Sequence, residues 1–200
     1  MCGLKSCECK TSSNNAILFC DIFYLSISGY LFMALRNEIL KEHSKAQSLK
    51  IVAWVGHDKQ RFDELLQLFM NDEYRVVQRA AWVLTLVADN EPQLIQPHLE
   101  VIVGKMNEPD APVAVKRNVV RLLQHVPIPE KLHGTVMNSC FELLADPKET
   151  IAVRVFSMTV LANLSKIYPD IKQELKAIIN DVLEQNASAG FKARVRNLGL

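Results

Sequence analysis

The chain has 200 residues, of which 49% are hydrophobic and 22% are charged, with seven glycines, eight prolines and no low-complexity tract. This composition is typical of a soluble, folded chain, long enough for one domain or for an array of small repeats that share a core. The formal net charge of +1 excludes a protein held to nucleic acid or to anionic lipid mainly by its overall charge.

The first 32 residues differ from the rest of the chain, and we interpret them as an atypical N-terminal extension. A polar stretch with three cysteines precedes the apolar run AILFCDIFYLSISGYLFMAL, residues 16–35. Asp21 interrupts this run, so its longest uncharged segment, residues 22–35, is shorter than the roughly 20 residues needed to cross a bilayer. No small-residue cleavage site follows it. A signal or anchor, an ordered extra helix and a mistaken translation start upstream of Met33 therefore stay open.

A translation start at Met33 would explain the cysteine distribution. It would remove four of the five cysteines and leave only Cys140, the usage expected of a protein in the reducing cytoplasm. We therefore expect a cytoplasmic protein, which would be exported or anchored only if residues 1–32 are genuine.

Residues 33–200 are predicted to form a single domain of helix pairs. The first segment, residues 35–55, offers an apolar helical face through Leu49, Val52 and Ala53. Beyond it, apolar residues recur at an interval of 38, in columns that lie three, four and seven positions apart. The columns of the first helix of each pair, here called helix A, are Leu99, Met137 and Leu175; Ile102, Cys140 and Ile178; Val103, Phe141 and Ile179; and Met106, Leu144 and Val182.

The second helix of each pair, helix B, repeats at the same interval. Its columns are Val77, Val115 and Val153; Trp82, Val120 and Met158; Leu84, Leu122 and Val160; and Ala88, Val126 and Leu164. Turn signals separate A from B at residues 71–72, 108–110 and 146–147, and one pair from the next at 90–92, 127–129 and 168–170.

A single helix pair cannot cover its own apolar face, whereas stacked pairs cover one another. The period of 38 therefore predicts an all-α fold, a right-handed α-α superhelix of about four to five helix pairs. Trp82 shares a column with Val120 and Met158, so we expect it in the core.

Several stretches resemble the HEAT-repeat family. They are LIQPHLEVIV, residues 94–103, with Pro97 inside helix A, and the B-helix starts DEYRVVQRAA, DAPVAVKRNV and ETIAVRVFSM. That family has a proline-bent first helix and a second helix that opens with an acidic residue and then a Val-Arg pair. The resemblance covers residues 58–168 and implies a HEAT-like solenoid of helical hairpins; it specifies the fold better than the function.

The acidic residues before helix B also resemble the ladder of Asp and Arg side chains that joins neighbouring repeats in that family. Asp72 precedes Gln78 by six residues, and Asp110 precedes Lys116 by six. The chain departs from the ladder because Gln78 is uncharged and Lys148 stands where the third Asp would be, with Asp146 and Glu149 nearby.

Counted from residue 58, the end of the chain carries a fourth, shortened pair. Its helix A is marked by an apolar face of Ile171, Leu175, Ile178, Ile179 and Leu183, and its helix B is the short stretch AGFKARVRNLGL. Because this pair is short, we expect an apolar end at Phe191 and Leu198 that a second subunit could cover.

No set of residues indicates catalysis, a cofactor or a metal. The five histidines are not paired with one another or with cysteine at zinc-site spacing, so we interpret each as structural. Cys140 shares a buried column with Ile102 and Ile178, where a thiol is packed and inert. There is no phosphate-binding glycine loop and no G-x-S-x-G motif.

The sequence therefore favours a non-catalytic protein-binding or scaffold module, whose partner is another protein of unknown identity. Stacked helix pairs present an extended polar surface, and residues 33–200 show no membrane segment. The candidate partner-binding face consists of polar B-helix residues: Arg75, Gln78, Arg79, Lys116, Arg117, Arg121 and Arg154.

Nucleic-acid binding is the alternative interpretation. Arginines lie one turn apart at Arg75 and Arg79 and again at Arg117 and Arg121, while Lys192, Arg194 and Arg196 lie near the end of the chain. These residues suggest a similarity to HEAT-fold alkylpurine DNA glycosylases, in which a basic face would follow a phosphate backbone.

Overall fold

The computed structural model describes residues 35–185 and 187–200, and this part of the chain contains helices and no β-strand. The helices are α1 (residues 35–41), α2 (Lys45–Val55), α3 (Lys59–Asn71), α4 (Tyr74–Asn90), α5 (Pro92–Ile95), α6 (Leu99–Met106), α7 (Val113–Leu123), α8 (Glu130–Ala145), α9 (Ile151–Leu164), α10 (Ile171–Glu184) and α11 (Ala189–Leu198). The prediction of an all-α fold is confirmed. The expectations for residues 1–32, including the start at Met33, lie outside the described residues.

The helices follow one another as A and B pairs. There are five pairs in the described residues: α1 with α2, α3 with α4, the α5–α6 segment with α7, α8 with α9, and α10 with α11. The first member of each pair is helix A and the second is helix B. Each B helix packs on the B helix of the next pair, so that α2, α4, α7, α9 and α11 form one layer. The A helices pack on this layer, and buried side chains form a core that runs from the first pair to the last.

The core is made of the columns with a period of 38. In the A helices, Leu99, Ile102, Leu144 and Leu175 are each at most 1% exposed, and in the B helices Val115, Val120 and Met158 are fully buried. Trp82 is the exception to its column. It is only half-buried, and its ring lies 5.4 Å from that of His43. This tryptophan therefore borders the core and does not fill it.

Polar side chains cap the first turn of several helices. The Asp58 carboxylate accepts hydrogen bonds from the backbone N–H groups of Gln60 and Arg61 at the start of α3. The Ser188 hydroxyl accepts one from the N–H of Phe191 at the start of α11. Such side chains satisfy N–H groups that have no partner within the first helical turn.

Pro97 interrupts helix A of the third pair. Helix α5 ends at Ile95, residues Gln96–His98 form a 3-10 turn, and α6 begins at Leu99. Proline lacks the backbone N–H, and its ring clashes with the preceding turn, so a continuous α-helix is disfavoured there. The A helices α8 and α10 contain no proline and are unbroken.

Ion pairs link neighbouring helix pairs through two residues of the predicted ladder, Asp72 and Lys116. Asp72 binds Arg36 of the preceding pair, with 3.0 Å between Oδ2 and Nε. Lys116 reaches forward to the next pair, with 2.6 Å between Nζ and Glu149 Oε1. The glutamate of the fourth pair thus supplies the negative charge that Lys148 does not.

The apolar face predicted for residues 35–55 is wrong in part, since only Val52 of its three residues packs against the core. This segment forms two helices, and in α2 Leu49 is 43% exposed while Ala53 is also exposed. The buried side of α2 consists of Gln47, Ser48, Ile51 and Val55.

Two polar side chains can occupy this buried side because their polar atoms are bonded within the chain. The Gln47 amide donates to the carbonyl oxygen and to the carboxylate of Glu38, at 2.9 and 2.8 Å. The Ser48 hydroxyl donates to the carbonyl oxygen of Ser44 at 2.9 Å. Burial costs little free energy when a polar group keeps its hydrogen bonds. Gln47 and Ser48 can therefore lie on the buried side of α2, although the apolar pattern predicted a different buried side.

The apolar end predicted at Phe191 and Leu198 is also wrong. Phe191 is 2% exposed and lies under the Arg154 guanidinium, whose carbon is 5.5 Å from the ring centroid. Leu198 is half-buried against the core, and α11 packs on α9. The short last helix therefore covers its own apolar side.

Candidate partner-binding surface

One side of the layer of B helices carries the side chains that the core leaves at the surface. On α4, α7 and α9 these residues lie three, four or seven positions apart, which places them on one face of each helix. We name this surface the B-layer face; it consists of Arg75, Gln78, Trp82 and Asp89 on α4, Arg117, Arg121 and Gln124 on and just after α7, Phe156, Thr159 and Asn163 on α9, and Arg194 on α11. None of these side chains is fully buried.

Contacts between helices join these residues into one surface. Asp89 of α4 pairs with Arg121 of α7, with 3.5 Å between Oδ2 and Nη2. Gln124 accepts a hydrogen bond from Arg194 of α11 at 3.3 Å through its side chain, and one from Asn163 of α9 at 3.5 Å through its backbone carbonyl. The face is therefore continuous from α4 to α11.

Arg194 has the most constrained side chain of this face. Its Nη1 donates to the Thr159 hydroxyl at 2.8 Å and to Gln124 Oε1 at 3.3 Å. The guanidinium carbon lies 5.8 Å from the centroid of the Phe156 ring, within the range of a cation–π contact. Three side chains on two other helices thus fix the position of this guanidinium group.

Charge is distributed unevenly between the two kinds of helix. The B helices contain eleven basic residues and a single acidic residue, Asp89: the basic ones are Lys45, Lys50, Arg75, Arg79, Lys116, Arg117, Arg121, Arg154, Lys192, Arg194 and Arg196. The A helices of the described residues carry basic and acidic residues in nearly equal number. The net charge of +1 therefore conceals a basic B layer.

Arg79, one of the predicted partner-binding residues, is engaged within the chain. Its Nη1 donates to the carbonyl oxygens of Ile39 and Leu40, each at 2.9 Å. These carbonyls lie in the last turn of α1, where helical C=O groups lack intrahelical partners and a positive charge is favourable. Arg79 thus ties the second helix pair to the first.

Lys116 and Arg154 also make contacts within the chain. Lys116 pairs with Glu149 and lines a hollow of about 400 Å³ together with Asn107, Ser139 and Glu142. Arg154 donates from Nε to the carbonyl oxygen of Leu144 at 2.8 Å. The Lys116 ion pair thus joins two helix pairs, whereas the Arg154 hydrogen bond joins the two helices of one pair.

The other four predicted residues lie together on the B-layer face. Arg75 and Arg117 are exposed, and within the described residues neither forms an ion pair or a side-chain hydrogen bond. Gln78 is half-exposed, and Arg121 is held by Asp89. These four residues remain candidates for contact with a partner.

Sequence reasoning did not place Gln124, Phe156, Thr159 and Asn163 on this face. On α9, the last three occur at spacings of three and four residues, among positions that are otherwise mostly apolar. This spacing is the signal that identifies them in retrospect. Arg194 was considered only as part of a basic C-terminal stretch.

Cys140 has the environment expected of a packed thiol. It is fully buried in α8, and burial raises the pKa of its thiol to about 12, although the nearby Ser157 hydroxyl acts in the opposite direction. The thiolate, which is the nucleophile, is therefore scarce at neutral pH.

We expect Cys140 to resist alkylation in the folded protein. Treatment with iodoacetamide at pH 8, followed by peptide mass spectrometry, should leave the Cys140 peptide unmodified while the protein is native and modify it fully in concentrated guanidinium chloride. Rapid alkylation of Cys140 in the native protein would contradict the burial of this side chain.

His133 illustrates the structural role predicted for the histidines. It is buried in α8, with its Nε2 2.9 Å from the Ile128 carbonyl oxygen and its Nδ1 3.0 Å from the Tyr168 hydroxyl. Both ring nitrogens thus have partners within the chain.

Among the described residues, no group of three or more His, Cys, Asp and Glu side chains is placed to hold a metal ion. The helices described here include none that is long and apolar enough to cross a membrane.

Comparison with known proteins identifies one relationship. A family model described as a HEAT repeat domain matches residues 35–199, which includes every helix described above. No curated protein and no solved structure matches the chain significantly.

Proposed function

The chain belongs to the HEAT repeat family, and we propose that it is a non-catalytic module that binds another protein through its B-layer face. HEAT repeats generally mediate protein interactions, because stacked helix pairs present an extended and continuous surface. That this face is the one that binds, and that the partner is a protein, is our inference.

The continuity of the B-layer face carries this proposal. Residues from four successive B helices, α4, α7, α9 and α11, are joined by the Asp89–Arg121 ion pair and by the hydrogen bonds that converge on Gln124. Such a face places side chains of several repeats within reach of one partner. Arg75 and Arg117 extend from it without polar partners in the described residues, so binding would not require breaking contacts of the folded chain.

Site-directed photo-crosslinking in the native host tests the proposal. With p-benzoylphenylalanine in place of Arg117, we expect a defined protein adduct on irradiation. The matched control carries the same group in place of Gln173, an exposed residue of helix α10 in the A layer, and should give little or none. Equal labelling from both positions, or no protein adduct from position 117, would count against the proposal.

Nucleic-acid binding is the second candidate, and the basic B layer favours it. Eleven basic residues and one acidic residue on the B helices give a positive field that a phosphate backbone could use. The same crosslinking experiment separates the two candidates. An adduct at position 117 that is shortened by nuclease, and not by protease, would favour nucleic acid.

A further inference from the structure

We propose that the B-layer face binds a short acidic segment of the partner protein, and that Arg194 is the preoriented group that receives one of its carboxylates. This inference rests on the proposed function, since it assigns a chemistry to the partner at the same face. It concerns the arginines of the face, Arg75, Arg117, Arg121 and Arg194.

Charge complementarity gives the sign of the partner. Four arginines stand on the face against one carboxylate, Asp89, which is already paired with Arg121. A partner segment rich in Asp and Glu would be attracted to this excess of positive charge, whereas a basic segment would be repelled.

The fixed geometry of Arg194 indicates a carboxylate in particular. Its Nη1 is used by Thr159 and Gln124, while Nε and Nη2 have no hydrogen-bond partner among the described residues. The Nε and Nη2 groups form the edge of a guanidinium that binds a carboxylate through two parallel hydrogen bonds. Because Thr159, Gln124 and Phe156 already restrict the side chain, little conformational entropy remains to be lost on binding.

Arg117 and Arg121 extend the same site on the neighbouring helix. They lie one turn apart on α7, and Gln124, which holds Arg194, follows Arg121 by three residues. The arginines of α7 and Arg194 of α11 thus lie on the same part of the B-layer face. Successive carboxylates of one segment could meet them in turn.

The dimensions of the face suit a short peptide. Neighbouring packed helices are about 8–10 Å apart, so the four B helices α4, α7, α9 and α11 span on the order of 25–30 Å. An extended chain covers that distance with about eight residues. The half-buried rings of Trp82 and Phe156 offer apolar contacts between the arginines, which suits the side chains of a peptide.

Acidic residues around the face disfavour a longer polyanion such as a nucleic acid. Glu73 and Asp110 are exposed and lie in the turns before α4 and α7. A phosphate backbone that continued past the starts of these helices would meet this acidic edge and be repelled. A segment that ends within the face would not.

Selection from a displayed library of random 12-residue peptides tests the proposal with the full chain. Peptides are retained on the wild-type protein after removal of those that also bind the Arg117→Glu/Arg194→Gln double variant. We expect the recovered peptides to be enriched in Asp and Glu. Recovery of peptides without acidic enrichment would overturn this inference and leave the proposed function standing. Recovery of no peptide at all would count against both.

Fluorescence anisotropy with the best recovered peptide then measures each side chain. We expect the peptide to bind about tenfold or more weakly to the Arg117→Glu and Arg194→Gln variants, since each loses a charged contact. Arg194→Lys should also weaken binding, because the charge remains but the planar fork does not. The control Lys176→Gln, which removes one positive charge from helix α10 as Arg194→Gln does from α11, should leave affinity unchanged.

Two further measurements complete the test. Thr159→Val removes the hydroxyl that holds Arg194 Nη1 and should reduce affinity while circular dichroism and the melting temperature show an intact fold. Unchanged affinity in Arg194→Gln, with the fold intact, would overturn the role of Arg194. A labelled 16-base-pair duplex DNA that bound more tightly than the peptide, and lost binding in the same variants, would overturn the protein assignment in favour of nucleic acid.

Discussion

Replacing Lys116 with alanine is expected to lower the free energy of unfolding by about 3 kcal/mol, because the change leaves a buried carboxylate without its counterion. Glu149 has only 7% of its side chain exposed, and its Oε1 lies 2.6 Å from Lys116 Nζ. The other carboxylate oxygen has no hydrogen-bond partner among the described residues, so no second group compensates for the loss of the lysine. Urea unfolding followed by circular dichroism measures the difference.

A surface ion pair provides the matched control for Lys116. Lys131 pairs with Glu100 between two A helices, and their side chains are 68% and 65% exposed. Exposed pairs contribute little, so Lys131→Ala should cost about 0.5 kcal/mol or less. Equal losses for the two alanine variants would contradict a buried, energetically important pair at Lys116.

A double replacement separates the loss of the pair from the burden of an unpaired charge. In Lys116→Met/Glu149→Leu both charged groups are replaced by apolar side chains of similar size. Because replacing a buried pair as a whole is often neutral, this variant should recover most of the stability lost in Lys116→Ala. A double variant as unstable as Lys116→Ala would mean that the ion pair itself is stabilising, and that an unpaired Glu149 is not the cause of the loss.

Met158→Ala is the second substitution with a large expected effect, a loss of about 3 kcal/mol in the free energy of unfolding. Met158 is fully buried in α9, in the layer where each B helix packs on the next. Truncation removes apolar contacts and leaves a cavity that packed neighbours fill only in part. In a stacked array this cavity weakens the interface between helix pairs, and such interfaces contribute much of the stability.

Trp82→Ala is the informative comparison because Trp82 occupies the same column of the repeat. Tryptophan is much larger than methionine, and the sequence pattern alone would predict the larger loss at Trp82. The ring is only half-buried and lies against His43, so we expect a smaller loss than for Met158→Ala, about 1–2 kcal/mol. A larger loss for Trp82→Ala would show that this ring belongs to the core after all.

The interval of 38 residues predicted the stacked helix pairs correctly, and the reason is local. A face that recurs every three to four residues specifies a helix, and a turn signal between faces specifies where the helix ends. Helix α3 ends at Asn71 and Asp146–Pro147 lies between helices, as predicted, and the columns that contain Met106 and Val115 are buried.

The same reasoning failed for α2 because that helix has apolar residues on more than one side. The sequence KAQSLKIVAWV presents either Leu49 and Val52 or Ile51 and Val55 as a buried face. The choice was made by hydrogen bonds to residues outside the helix, since Glu38 gives the buried Gln47 amide its partners. No periodicity within the helix contains that information.

The candidate surface likewise combines features that follow from the local sequence with contacts that depend on tertiary packing. Which B-helix residues are polar was readable from the sequence, and Arg75, Gln78, Arg117 and Arg121 do lie on one face. Arg79 finds its carbonyl partners about 40 residues away in α1, and Arg194 meets Thr159 and Gln124, 35 and 70 residues away.

The sequence by itself thus determined the helices and their repeat, because these follow from contacts within a turn or two of the chain. Only the tertiary structure decided which arginines are bound within the chain and which extend from its surface. The physical reason is the reach of the side chain: Arg and Lys extend far enough to bind whatever acceptor the packing brings near, and only the packed helices define that acceptor.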